Sequence, residues 1–136
     1  MKSKTTAFTL PLFIHSVPAG FPSPADDYLD RSLDLNTYLI KHPAATYLAH
    51  AKGDSMEGCG IYDGDLLIVD RSRNAQHEDI IIAALDGQLT CKILDKNRQC
   101  LISANKTYTP IPIGEFSDLV IEGIVIHSIR HHVLPG

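Results

Sequence analysis

The run D-I-I-I-A-A-L-D-G-Q-L-T-C-K-I-L, residues 79–94, decides the fold. Two apolar segments, Asp79–Leu85 and Gln88–Leu94, flank Asp86-Gly87. Asp-Gly between two such runs is a strong signal for a two-residue β-hairpin. Along the return strand, alternation sets Thr90, Lys92 and Leu94 on one face and Leu89, Cys91 and Ile93 on the other. Both faces are therefore largely apolar, and Lys92 is the exception.

Working outward, the same pattern recurs. Thr46–Ala51, Asp65–Asp70, Gln99–Ser103 and Leu119–Ile129 read as short strands, the last interrupted at Gly123 by a bulge or bend. Strands at this spacing predict a mainly β domain, a barrel or a curled sandwich. One short helix is expected, Leu35–Lys41, with Asp34 as its N-cap, a stripe of Leu35, Tyr38 and Leu39, and Pro43 as its stop. Residues 1–25 hold Pro11, Pro18, Pro22 and Pro24 and read as an extended arm. The expected division is thus an arm over 1–25, a β domain over 26–130 and a flexible tail over 131–136.

The totals narrow the function. A chain of 136 residues, 44% hydrophobic and 21% charged, suits one soluble globular domain. Its net charge is −4 and no basic run appears, which disfavours direct DNA binding, because neutralising phosphates supplies much of that affinity. Lys2 and Lys4 make the arm the one cationic segment. Cys59, Cys91 and Cys100 form no C-x-x-C and are odd in number, so no disulfide framework is indicated and a reducing cytoplasm fits. The seven histidines lack metal-ligand spacing, and no metal or other cofactor is expected. No segment approaches the roughly 18 apolar residues of a membrane span. Residues 7–20 imitate a signal peptide, but the apolar part is short and broken by Thr9 and Pro11.

Two residues raise a chemical question. Ser55 sits in K-G-D-S-M-E-G-C-G-I-Y-D-G-D, residues 52–65, at the end of a strand and before a glycine-rich loop. Asp54 and Ser55 suit a turn. Pattern alone leans to that turn; the other reading is a nucleophile, which needs a base beside it. Gly53-Asp54-Ser55-Met56-Glu57 lacks the second glycine of a nucleophile elbow, and no histidine is singled out as base. Lys92 either snorkels to an edge or is desolvated. Holding a lysine neutral at pH 7 costs about 4.6 kcal/mol, and full burial lowers a lysine by about 3–5 pKa units, so desolvation alone can prepare a base. Ser103-Ala104-Asn105-Lys106 spells S-x-x-K, but Pro110 and Pro112 forbid the helix that motif needs.

Ala19–Ala25, Gly53-Asp54-Ser55-Met56, Asp63–Asp70 and Leu89–Leu94, taken in order and spacing, resemble the UmuD family. These are self-cleaving accessory subunits of error-prone, SOS-induced DNA polymerases, and they share the LexA-type S24 serine/lysine peptidase domain. The resemblance runs from about Phe8 to Ile129. It implies a curled or barrel-like LexA-type fold, Ser55 as nucleophile, Lys92 as neutral general base and Ala19-Gly20 as the bond cut, removing residues 1–19. The backbone N–H groups of Asp54 and Ser55 would hold the oxyanion. It also implies a RecA–single-stranded DNA filament as activator, a homodimer of the shortened chain, and a UmuC-like Y-family polymerase as partner in translesion synthesis. Ala-Gly at the cut follows the LexA-type repressors, whereas UmuD proteins often have Cys-Gly. A repressor would carry a helix-turn-helix domain ahead of the cut, where only residues 1–19 stand here. A non-catalytic β scaffold and a repressor fragment lacking its DNA-binding domain are the alternatives.

Overall fold

A computed structural model describes residues 8–13, 16–22, 30–115 and 118–134. The chain divides into two units, Met1–Lys41 and His42–Gly136. The expected arm boundary at residue 25 falls outside the described residues.

In the first unit, β1 (Thr9–Phe13) pairs antiparallel with β2 (Asp30–Asp34). Within the arm, residues 9–13 are thus a paired strand that the sequence reading did not separate, while residues 16–22 are irregular. Asp34 caps α1 (Leu35–Leu39) by accepting from the Asn36 N–H at 3.0 Å. The helix is shorter than expected. It ends at Ile40, whose backbone is already extended, and Lys41 folds back to donate to the Thr37 carbonyl at 3.2 Å.

The second unit is mainly β. Its strands are β3 (Thr46–His50), β4 (Leu66–Asp70), β5 (Ile80–Leu85), β6 (Gln88–Asp95), β7 (Cys100–Ile102), β8 (Ile111–Pro112) and β9 (Leu119–Ile129). They form one antiparallel sheet in the order β3-β4-β9-β5-β6-β7-β8. The sheet curls but does not close, since β3 and β8 remain its two edges. The expected mainly β domain is present, as a sheet that stays open. The Asp86-Gly87 turn joins β5 to β6 with both residues at positive φ, +49° and +86°.

The curl comes from β9. Its register slips against β4 between Ile68 and Val69, and against β5 between Ile82 and Ala83. Each slip leaves one β9 residue without a partner and bends the strand. Gly123 sits at the second slip because nothing larger fits: a Cβ there would lie 2.6 Å from Val69 Cγ1.

Both sheet faces are covered. Met56, Ile61, Leu67, Val69 and Ile82 form one buried cluster; Ile81, Ala83, Leu94, Leu101 and Ile124 form the other. β5 feeds both by alternation. Each fully buried branched side chain contributes about 1.5–3 kcal/mol, so the β5–β6 hairpin is a rigid base for whatever β6 carries.

Candidate active site

The loop after β3 owes its path to glycines and borrowed carboxylates. Ala51 N–H donates to the Asp65 carbonyl and Gly64 N–H to the Ala51 carbonyl, both at 2.8 Å. Gly53 turns at φ +87°, where a side chain would be strained, and its N–H donates to Asp63 Oδ1 at 2.7 Å. Met56 then inserts into the first core cluster, 3% exposed. Ser55, between the turn and this anchor, is held half-buried at the mouth of the strand end.

A second loop, residues 103–108, grips the first. Gly58 N–H donates to the Ala104 carbonyl at 2.7 Å, and Asn105 Nδ2 donates to the Asp54 carbonyl at 3.1 Å. Tyr108 Oη donates to Asp54 Oδ1 at 2.6 Å. From the far end of β9, Arg130 clamps the loop's exit. It makes a two-pronged bond to the buried Asp65 carboxylate at 3.0 and 2.8 Å, bonds the Gly60 carbonyl at 2.8 Å and stacks 4.0 Å from the Tyr62 ring centre. That guanidinium holds the Asp65 carboxyl below the ordinary carboxylate range.

Lys92 lies on β6 opposite Ile81 and is 9% exposed, so it is desolvated and does not snorkel. Its Nζ is 3.2 Å from Ser55 Oγ. Among the described residues it has no carboxylate partner. Burial pulls its pKa below the ordinary lysine value, while the neighbouring Cys91 acts in the opposite sense. Burial pushes the Cys91 thiol itself up to about 11. Cys91 is therefore a neutral thiol at pH 7 and offers the lysine no counter-charge there. A neutral amine this close to a hydroxyl can accept its proton; an ammonium has no lone pair to do so.

Ser55, Lys92, Tyr108 and Cys91 line one cleft of about 420 Å³, with His50 and Asp54. No hydrogen bond joins His50 to Ser55 among the described residues, so the histidine alternative loses to Lys92 on geometry. The N–H groups of Asp54 and Ser55 also donate to no acceptor among the described residues. Ala19 and Gly20 belong to the first unit, in an irregular exposed stretch.

The peptidase S24-like family model matches residues 11–126. The chain belongs to that family. It is 43% identical to Protein ImpA of Salmonella typhimurium over 129 residues, covering 94% of this chain and 85% of that one. It is 43% identical to Protein SamA of Salmonella typhimurium strain LT2, covering 90% and 88%, and 40% identical to Protein MucA of Escherichia coli, covering 91% and 86%. A LexA repressor from Ectopseudomonas mendocina is 39% identical over 86% of this chain but 58% of its own length. The S24 chain is thus a serine peptidase of the self-cleaving kind, and its UmuD-like relatives make it an SOS mutagenesis protein. No helix among the described residues is long and apolar enough to cross a membrane.

Sequence reasoning missed Tyr108, Asn105, Asp63 and Arg130. Tyr108 and Asp54 are 54 residues apart, and Arg130 and Asp65 are 65 apart, so no local pattern could announce them.

Proposed function

We propose that the chain cuts its own Ala19–Gly20 bond with Ser55 as nucleophile and neutral Lys92 as general base. The observation that carries this reading is the buried Lys92, with no carboxylate paired to it among the described residues and Nζ 3.2 Å from Ser55 Oγ. Lys92 takes the hydroxyl proton as Ser55 Oγ attacks the Ala19 carbonyl carbon. The C–N bond then breaks, Lys92 returns that proton to the Gly20 amine, and an Ala19–Ser55 ester remains. A water attacks the ester, with Lys92 again taking and returning one proton, which releases residues 1–19 as a free carboxylate and regenerates Ser55. The Asp54 and Ser55 N–H groups are unengaged among the described residues and suit the oxyanion of both tetrahedral intermediates.

The UmuD-like relatives support the wider reading. In the cytoplasm, a RecA–single-stranded DNA filament stimulates this single turnover. Residues 20–136 then form a homodimer that serves a UmuC-like Y-family polymerase in translesion synthesis. The net charge of −4 fits a protein that reaches DNA through partners and does not bind it directly.

The test is product mapping. The purified chain, incubated alone at pH 10 and with RecA filament at pH 7.5, is expected to yield a fragment beginning Gly20-Phe21-Pro22. Ser55→Ala should yield none. A cut elsewhere, or a cut persisting in Ser55→Ala, overturns the assignment.

A further inference from the structure

The cleft contains a hazard to its own chemistry. Asp54 carries a carboxylate one residue from Ser55 and lines the same cleft as Lys92. An opposite charge within about 4–6 Å of a lysine favours the ammonium, the form that cannot act as base. Yet the carboxylate is engaged elsewhere. Tyr108 Oη donates to Asp54 Oδ1 at 2.6 Å, while the ring of the same tyrosine lies 5.9 Å from Lys92 Nζ. Tyr108 therefore bonds the acid and sets its ring near the amine. It is itself fixed by its loop: Tyr108 N–H donates to the Asn105 carbonyl at 3.1 Å, and Asn105 in turn holds the Asp54 backbone.

The other ionisable groups do not take over this role. His50 and Lys52 line the cleft from the end of β3, Cys91 stands beside Lys92 on β6, and Glu57 and Cys59 lie on the Ser55 loop. Asp63 is occupied by the Gly53 N–H. None forms an ion pair with Lys92 among the described residues. Asp54 is thus the acid whose direction matters most, and one hydroxyl sets that direction.

We propose that Tyr108 is a positioning residue for self-cleavage: by engaging the Asp54 carboxylate, it keeps that charge off Lys92 and leaves the amine free to accept the Ser55 proton. The proposal rests on the reading of Ser55 and Lys92 given above. Tyr108→Phe isolates the hydroxyl, because it keeps the ring over the amine and with it whatever cation–π contact that ring makes. Released, Asp54 can turn towards Lys92 and hold it protonated.

Two readouts test this. The first is the titration of Lys92, followed by carbon NMR of its ε-methylene in the non-cleaving Ser55→Ala chain. Adding Tyr108→Phe should raise the midpoint by about one pH unit, and adding Asp54→Asn to that should bring it back. The second is self-cleavage. Tyr108→Phe should be about tenfold slower at pH 7.5, should approach the wild-type rate above the raised midpoint, and should recover at pH 7.5 when Asp54→Asn is added. A midpoint that Tyr108→Phe leaves unmoved, in a chain that does cleave, overturns the role of Tyr108. A rate loss equal at all pH values does so too, since it marks simple loop damage. A wild-type chain that never cuts overturns the Ser55/Lys92 reading instead, and the NMR titration then still reads what Tyr108 does to Lys92.

Discussion

Replacing Gly58 with alanine sets a methyl group against the backbone that steadies the Ser55 loop. An ideal Cβ at Gly58 would lie 2.3 Å from the Ala104 carbonyl oxygen and 3.1 Å from its carbon. Neither is the movable tip of a side chain. Ordinary contact begins at 3.4 Å, so the two loops must part by about 1 Å. That separation breaks the 2.7 Å bond from Gly58 N–H to Ala104 and strains the two contacts from Asn105 and Tyr108 to Asp54. Losing one backbone hydrogen bond and overpacking the interface together cost about 2–4 kcal/mol. A displacement of about 1 Å between nucleophile and base costs about a hundredfold in rate. The assays are urea unfolding and the rate of self-cleavage at pH 10. Gly58→Ala should lower the unfolding midpoint and cut the rate by about two orders of magnitude, whereas Gly60→Ser, in open space, should leave the interface with Ala104 untouched and act only through the strain of its φ of +85°. A Gly58→Ala chain that unfolds and cleaves like wild type would refute the view that residues 103–108 hold Ser55 in place.

Other perturbations probe the remaining parts. Lys92→Met should stabilise the chain at pH 7, because the folded state holds this lysine below its ordinary value and binds fewer protons than the unfolded state; the gap should narrow as the pH approaches 10.5, checked by thermal unfolding across that range. Asp70→Asn should cost about 2–3 kcal/mol at pH 7 by urea unfolding, since this fully buried carboxylate accepts from Ser72 N–H, Ser72 Oγ, Arg73 and His42 at 2.6–3.1 Å. Burial pushes the Asp70 carboxyl up, but these donors override it and hold it well below 3.8, so its contribution is complete above that value and the gap should close as the pH falls through the native value. Arg130→Ala should lower the unfolding midpoint and slow cleavage, and Arg130→Lys should rescue little, because a point charge reproduces neither the two-pronged bond to Asp65 nor the stack on Tyr62.

Six strands of the larger sheet were legible because their signals are local, whereas β1, β2 and the two-residue β8 were not. Asp86-Gly87 states its own turn, and the apolar runs around it state their length. Ser55 and Lys92 were legible for different reasons. A lysine among Thr90, Cys91, Ile93 and Leu94 breaks a pattern, but the break left snorkelling and desolvation both open, and only the structure shows it buried. Ser55 taken alone leaned towards a turn, and only the resemblance paired it with Lys92. The open sheet was not legible: whether β3 and β8 meet depends on the two slips along β9, and a residue count shows at most that Gly123 marks one of them. The grip of residues 103–108 on the Ser55 loop was hidden entirely. There the sequence offered S-x-x-K, a motif without its helix, while the working residues were Ala104 through its carbonyl, Asn105 through its amide and Tyr108 through its hydroxyl. A backbone carbonyl carries no sequence signature, and a tyrosine 54 residues from its acid carries none either.

The role of Lys92 as base is read most directly from the pH dependence of self-cleavage in the purified chain, wild type against Lys92→Ala. If neutral Lys92 is the base, the wild-type rate should rise tenfold per pH unit and level off at a midpoint below the ordinary lysine value of 10.5, while Lys92→Ala should show no such midpoint and at most a trace of the rate. A wild-type profile that is flat, or that Lys92→Ala reproduces, would show that Lys92 is not the base.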